Sequence, residues 1–220
     1  QYQLRNSVQW QSFLNENPNW FVYFNEYNNL PHRAFGEGIY INSIDNFINQ
    51  KLSIFDINYC DLKLQSHSKN DKYSNFIYTQ LFNGLDVIDS RLYIKQTKNN
   101  EVVVFGLDLF NDINISIIPS ISEEDAIISA SSDLPNSILK EDIMDNLKIL
   151  PIPSNNKYDF HLVYEVFIET TNSLGPAKYL CYVDANTGEL LMRNNEVKYE
   201  SPISNVHVEG EVYTSNPFNP

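Results

Sequence analysis

The sequence is poor in most of the residues from which reactive or cross-linked sites are built. Only two of its 220 residues are cysteine, Cys60 and Cys181. That is too few for a disulfide scaffold, and they are too far apart for a metal-type spacing. Two separately buried thiols and a single bridge are both open readings. Seven glycines supply neither a glycine-rich phosphate loop nor a Gly-x-Ser-x-Gly nucleophile elbow. The four histidines, at positions 32, 67, 161 and 207, include no pair at helical i, i+4 spacing. No His-Glu-x-x-His is present, which excludes a zincin centre in this stretch. No run of ~18 apolar residues occurs, so no membrane-spanning helix is expected. An initiator methionine and a signal peptide are also missing from a sequence that starts at Gln1. The expectation is an exported chain from which a targeting segment has been removed.

What is present is the composition of a folded protein, 42% hydrophobic and 13% aromatic, which excludes a disordered or collagen-like chain. The net charge is −13 and is uneven. Residues 1–118 carry 12 acidic and 9 basic side chains, whereas residues 119–220 carry 16 and 6. A surface that negative repels phosphate backbones, so no nucleic-acid partner is expected. It suits a basic or metal-bearing protein partner, or serves solubility alone.

Along the chain, Trp20–Phe24 is an aromatic, β-branched run that reads as a strand. Residues 27–39 hold Asn-Asn, Leu-Pro-His, Gly36 and Gly38 and read as turns and an irregular crossing. Ser43 is a fair N-cap for a helix with Ile44, Phe47, Ile48 and Leu52 on one face. A meander follows. Leu62 and Leu64 alternate with polar residues, 66–72 form a polar turn, and Phe76, Tyr78, Gln80 and Phe82 run at period two into Asn83-Gly84. Strands at 91–95 and 102–105 flank a turn at Lys98-Asn99-Asn100. After Pro119, Ser120 and Glu123 have capping-box spacing, with Ser122 as the alternative N-cap, before Ala126, Ile127 and Ala130. A second short helix is expected over about 136–147. Strands at 160–169 and 178–184 flank a hairpin loop, and Asn186-Thr187-Gly188 turns into a last strand at 189–193. Residues 201–220 read as an extended linker with one short strand at 206–212.

No catalytic set assembles from these segments. His161 lies in a strand, its neighbours Phe160 and Leu162 pointing to the opposite face, and reads as a structural histidine. His32 reads as packing or capping in a turn. The clusters Glu123-Glu124-Asp125 and Glu141-Asp142 sit at expected helix starts, where carboxylates offset the macrodipole. Asp184, just before Ala-Asn-Thr-Gly, reads as a turn-forming aspartate rather than a general base.

Two stretches carry a likeness. Residues 76–106, with Tyr78, Gln80, Phe82, Asn83, Gly84 and Val87, resemble the core of the fungalysin/thermolysin propeptide family, FTP. The hairpin's usual glycine is replaced there by Asn99-Asn100, a tolerable change because Asn also adopts positive φ. Residues 119–195 resemble the PepSY domain that follows FTP in such propeptides, most clearly at Pro119-Ser120-Ile121-Ser122 and at Tyr182–Leu191, where Asp184, Ala185, Thr187 and Gly188 stand. Residues 19–38 are similar to the N-terminal leader of secreted fungalysin-like precursors.

The resemblance implies an α+β fold of two consecutive helix-on-antiparallel-sheet units, FTP-like over 1–118 and PepSY-like over 119–200. Residues 201–220 would lead toward a peptidase. It implies a non-catalytic propeptide acting as intramolecular chaperone and inhibitor, monomeric when isolated, with no cofactor of its own. Zinc is expected only in the partner, a cognate zinc metallopeptidase catalytic domain. The extended tail makes Val206, Val208, Val212 and Tyr213 candidate inhibitory contacts. A free-standing PepSY-type protease-binding module and an envelope or adhesion module are the alternatives.

Overall fold

A computed structural model describes residues 1–57, 61–134, 140–143, 147–155, 157–172 and 175–197. The tail residues Val206, Val208, Val212 and Tyr213, and Cys60, lie outside them. The molecule is mostly antiparallel sheet with few helices.

Two short helices open the chain, α1 (Tyr2–Arg5) and α2 (Val8–Glu16), neither expected from the sequence. The Ser7 hydroxyl accepts from the Trp10 N–H and caps α2, which buries Trp10 and Phe13. Sequence periodicity is weak there because only one narrow stripe is apolar.

The first sheet has the order β1-β2-β7-β6-β4-β3, with β5 paired to β4. Its strands are β1 (Trp20–Phe24), β2 (Pro31–Tyr40), β3 (Leu62–Lys69), β4 (Tyr73–Phe82), β5 (Leu85–Asp86), β6 (Arg91–Thr97) and β7 (Glu101–Asp108). β2 replaces the expected irregular crossing. Its glycines are packing positions within the strand, since a Cβ on Gly36 would sit 2.6 Å from the Trp20 ring. β3 runs to Lys69, which shrinks the expected polar turn to its last residues.

α3 (Ile44–Phe47) is capped by Ser43 as expected, then loosens into a π turn at Ile48–Leu52 and a 3-10 turn at Ser53–Phe55. Phe47, Ile48 and Leu52 bury against the sheet beside Trp10, Phe13, Trp20 and Phe105. Several ring pairs there meet edge to face, as Phe13 does with Trp20 and Phe105 at 5.5 Å each. Such contacts contribute about 0.5–1.5 kcal/mol apiece beyond area burial.

The second sheet has the order β12-β11-β10-β8, with β9 on the same edge of β10 as β8. Its strands are β8 (Lys140–Ile143), β9 (Lys148–Ser154), β10 (Lys157–Asn172), β11 (Gly175–Asp184) and β12 (Leu190–Asn195). α4 (Glu123–Ser131) packs Ala126 and Ala130 onto it. Its capping box uses Ser122 and Asp125 rather than Ser120 and Glu123.

The helix expected over 136–147 is corrected, because residues 140–143 form β8. β10 is sixteen residues long and β9 pairs it only as far as Val163. The backbone of Val166–Glu169 takes β8 as its partner, and satisfying that ladder overrides local helix propensity. Glu141-Asp142 therefore sits in a strand and not at a helix start. No helix among the described residues is long and apolar enough to cross a membrane.

Candidate functional site

The residues of the first motif converge where the two sheets meet. Tyr78, Gln80 and Phe82 share one face of β4, and the strand runs from one core to the other: Tyr78 is buried in the first, while Phe82, four residues on, packs against the second. Between them, the Gln80 amide clamps both backbone polar groups of one residue, Phe110. Its Oε1 accepts from the Phe110 N–H at 2.8 Å and its Nε2 donates to the Phe110 carbonyl at 2.7 Å. The Gln80 N–H donates to the Ser90 hydroxyl, which donates in turn to the Val87 carbonyl at 2.6 Å.

Asn83 and Gly84, with φ of 49° and 85°, make the tight turn that returns the chain toward Val87. Val87 is fully buried in the second core and bridges Ile149 in parallel. The motif builds a joint, and the Ser90 hydroxyl is consumed in holding it.

The second motif anchors the other side of the second sheet. Asp184 is 5% exposed. Its Oδ1 accepts from the N–H groups of Asn186 and Thr187 at 2.8 and 2.9 Å, and its Oδ2 lies 2.7 Å from His161 Nδ1. Burial by itself raises the Asp184 pKa. The His161 ring and the two backbone donors outweigh it and hold the carboxyl below the usual range.

The Gly188 N–H closes the turn on the Asp184 carbonyl, and the Thr187 hydroxyl accepts from Glu189 N–H. Ala185, fully buried, accepts from the N–H groups of Ser120 and Ile121 and so ties the turn to the start of α4. Asp184 is thus the turn-forming residue that the sequence indicated. Its pairing with His161 carries no signal in the sequence.

A groove of about 1090 Å³ lies between the sheets. On its second-sheet wall the Lys148 ammonium pairs with Glu165, which is 6% exposed and neighbours Tyr182. Burial pushes the Tyr182 phenol far above its ordinary value, and the Glu165 carboxylate adds to the shift. Both effects favour the protonated phenol. Cys181 is free and buried, and burial raises its thiol against the opposing pull of Arg193. A thiol so placed is a poor nucleophile. Among the described residues, no three His, Cys, Asp or Glu side chains group to hold a metal ion.

His32 is not a turn residue. It stands in β2, paired with Asp108, which also takes Arg91. Sequence reading also missed Phe21, Tyr23 and Phe35, which stand exposed on the first sheet. All five residues of Trp20–Phe24 are apolar, so periodicity could not say which of them face out.

No family model matches the chain. Over 165 residues it is 27% identical to bacillolysin of Bacillus amyloliquefaciens, a match covering 71% of this chain and 32% of that protein. The Bacillus megaterium YpeB C-terminal domain is a solved structure with 15% identity and a TM-score of 0.38, covering 85% of this chain and 94% of its own. The chain is similar to a stretch amounting to about a third of bacillolysin's length.

Proposed function

We propose that this chain is a non-catalytic propeptide of a thermolysin-like metallopeptidase, assisting its folding and inhibiting it until maturation. The observation that carries the reading is the similarity to about a third of bacillolysin, a thermolysin-like metallopeptidase, by a sequence without His-Glu-x-x-His. A shared stretch that lacks the zinc-binding motif corresponds to a part of such a precursor that does not perform its chemistry. The geometry is in keeping with this. Ser90, Asp184 and His161 are spent on holding a joint and a turn, and Cys181 and Tyr182 are kept protonated.

In this reading the FTP-like unit spans 1–118, the PepSY-like unit 119–200, and residues 201–220 lead toward the enzyme. The protein is exported as part of a zymogen and binds no cofactor, zinc belonging to the partner catalytic domain. The tail lies along the enzyme's cleft as an extended strand, using backbone hydrogen bonds as a substrate would. Pro217 and Pro220 hinder its cleavage by fixing φ and removing a donor.

The test titrates the cognate peptidase with the full chain and with a form ending at Glu200, at low and high salt. Inhibition by the full chain that weakens on truncation is expected. Equal inhibition constants reject a role for the tail, and no inhibition by either form rejects the inhibitory function.

A further inference from the structure

The face of the first sheet turned away from its core carries two cross-strand rows fixed by register. One runs Phe21, Phe35, Val104, Lys95 and Asn75; the other has Tyr23 paired with Arg33 on β1 and β2, and Gly106, Tyr93 and Ile77 paired in turn on β7, β6 and β4. Phe21, Tyr23 and Phe35 are 64%, 55% and 37% exposed, and both Phe21 and Tyr23 stack on Phe35, with centroids 5.9 and 6.4 Å away. Gly106 contributes no side chain to its row, and a hollow of about 620 Å³ opens there. The charge of this face opposes that of the molecule. Its cations are Arg33, Lys95 and Arg91, with Arg5 over the Tyr23 ring. The one carboxylate lining the hollow, Asp108, is already engaged by Arg91 and His32, and Glu37 stands exposed at the margin of the face. Among the described residues neither Arg33 nor Lys95 has an ion-pair partner.

An aromatic floor with cations outside any ion pair, Lys95 resting 5.0 Å from the centroid of the Tyr73 ring, fits an extended segment that is apolar on one side and acidic on the other. The chain contains such a segment. In residues 206–213, Val206, Val208 and Val212 occupy alternate positions with Gly210 between them, and Glu209 and Glu211 fall on the other side. We propose that this face docks residues 206–213 of the same chain, the valines against the aromatic rows and the glutamates reached by Arg33 and Lys95. The nine Cα–Cα steps from Val197 to Val206 span up to ~30 Å when extended. A 220-residue globule has a radius of gyration of ~17 Å, so this reach is on the scale of the molecule itself. The inference stands whether or not the chain belongs to a peptidase precursor. If it does, the segment must leave this face before it can enter a cleft.

Chymotryptic cleavage after Tyr213 of the full-length chain, followed by mass spectrometry, tests the proposal. Docking predicts slow cleavage of the wild type. Arg33→Glu with Lys95→Glu speeds it about tenfold, the scale of two lost surface ion pairs. Adding Glu209→Lys and Glu211→Lys to that variant restores protection by reversing both sides. Phe35→Ser, with all charges intact, also speeds cleavage, and unchanged near-ultraviolet circular dichroism in each variant excludes unfolding as the cause. Equal cleavage rates in the wild type and the Arg33/Lys95 variant overturn the proposal. Protection that grows with protein concentration overturns it as well, by assigning the face to a second copy.

Discussion

His161 Nδ1 and Asp184 Oδ2 lie 2.7 Å apart and join β10 to the turn that follows β11. Asp184 is held below its ordinary pKa of 3.8, so between that value and the lower native one the unfolded chain binds more protons than the folded chain. Its contribution to stability is complete above pH ~4 and is lost as pH falls through the native value. Urea denaturation from pH 7 down to pH 2 should show this fall, alongside that of other carboxylates. Asp184→Asn keeps an acceptor for the turn but not the charge. It should lower stability at pH 7 by about 1–2 kcal/mol and flatten the acid limb relative to wild type. An unchanged acid limb would show that the pairing carries no linkage.

Gly188 has φ of +76°, and a Cβ there would meet nothing closer than 3.7 Å, the Ser129 hydroxyl. The cost of a side chain is therefore backbone strain and not a clash. Gly188→Val should destabilise by about 1–3 kcal/mol, and Gly188→Asn by clearly less, because Asn tolerates the left-handed region. Equilibrium urea unfolding of both variants reads the difference. Equal losses would point to packing.

Gln80→Ala leaves both the N–H and the carbonyl of Phe110 without their partner at the joint between the sheets. A loss of about 1–3 kcal/mol is expected. The loss should be accompanied by faster amide exchange at Phe110, which a generally weakened core would not single out.

The purified chain should contain no stoichiometric zinc by metal analysis, and chelator should leave its melting temperature unchanged. The four histidines are scattered at positions 32, 67, 161 and 207, and structural zinc needs four converging ligands. One tightly held zinc per chain would contradict both this expectation and the proposed role.

Local signals gave true readings where the chain's own chemistry decides the conformation. Ser43 caps its helix as read, and Ser122, the alternative to Ser120, caps α4, because a hydroxyl satisfies a nearby N–H. Asn83-Gly84 and Gly188 turn because few other residues adopt positive φ at low cost. Asp184 folds its own turn for the same local reason. The readings failed where a distant partner sets the outcome. Residues 140–143 became a strand because β10 presents an unpaired edge to them. β2 accepts two glycines in mid-strand, one of them because Trp20 leaves no room for a side chain.

Residues a few positions apart settled the Asn83-Gly84 and Asn186-Thr187-Gly188 turns, the Ser43 cap, most of the strand meander and the absence of a His-Glu-x-x-His motif. That Gln80 and Val87 join two sheets, that His161 meets Asp184, and that Phe21, Tyr23 and Phe35 face outward beside Arg33 and Lys95 follows from the packing of distant segments. Those relationships depend on strand order and register, and hydrogen-bond ladders between segments many residues apart fix both.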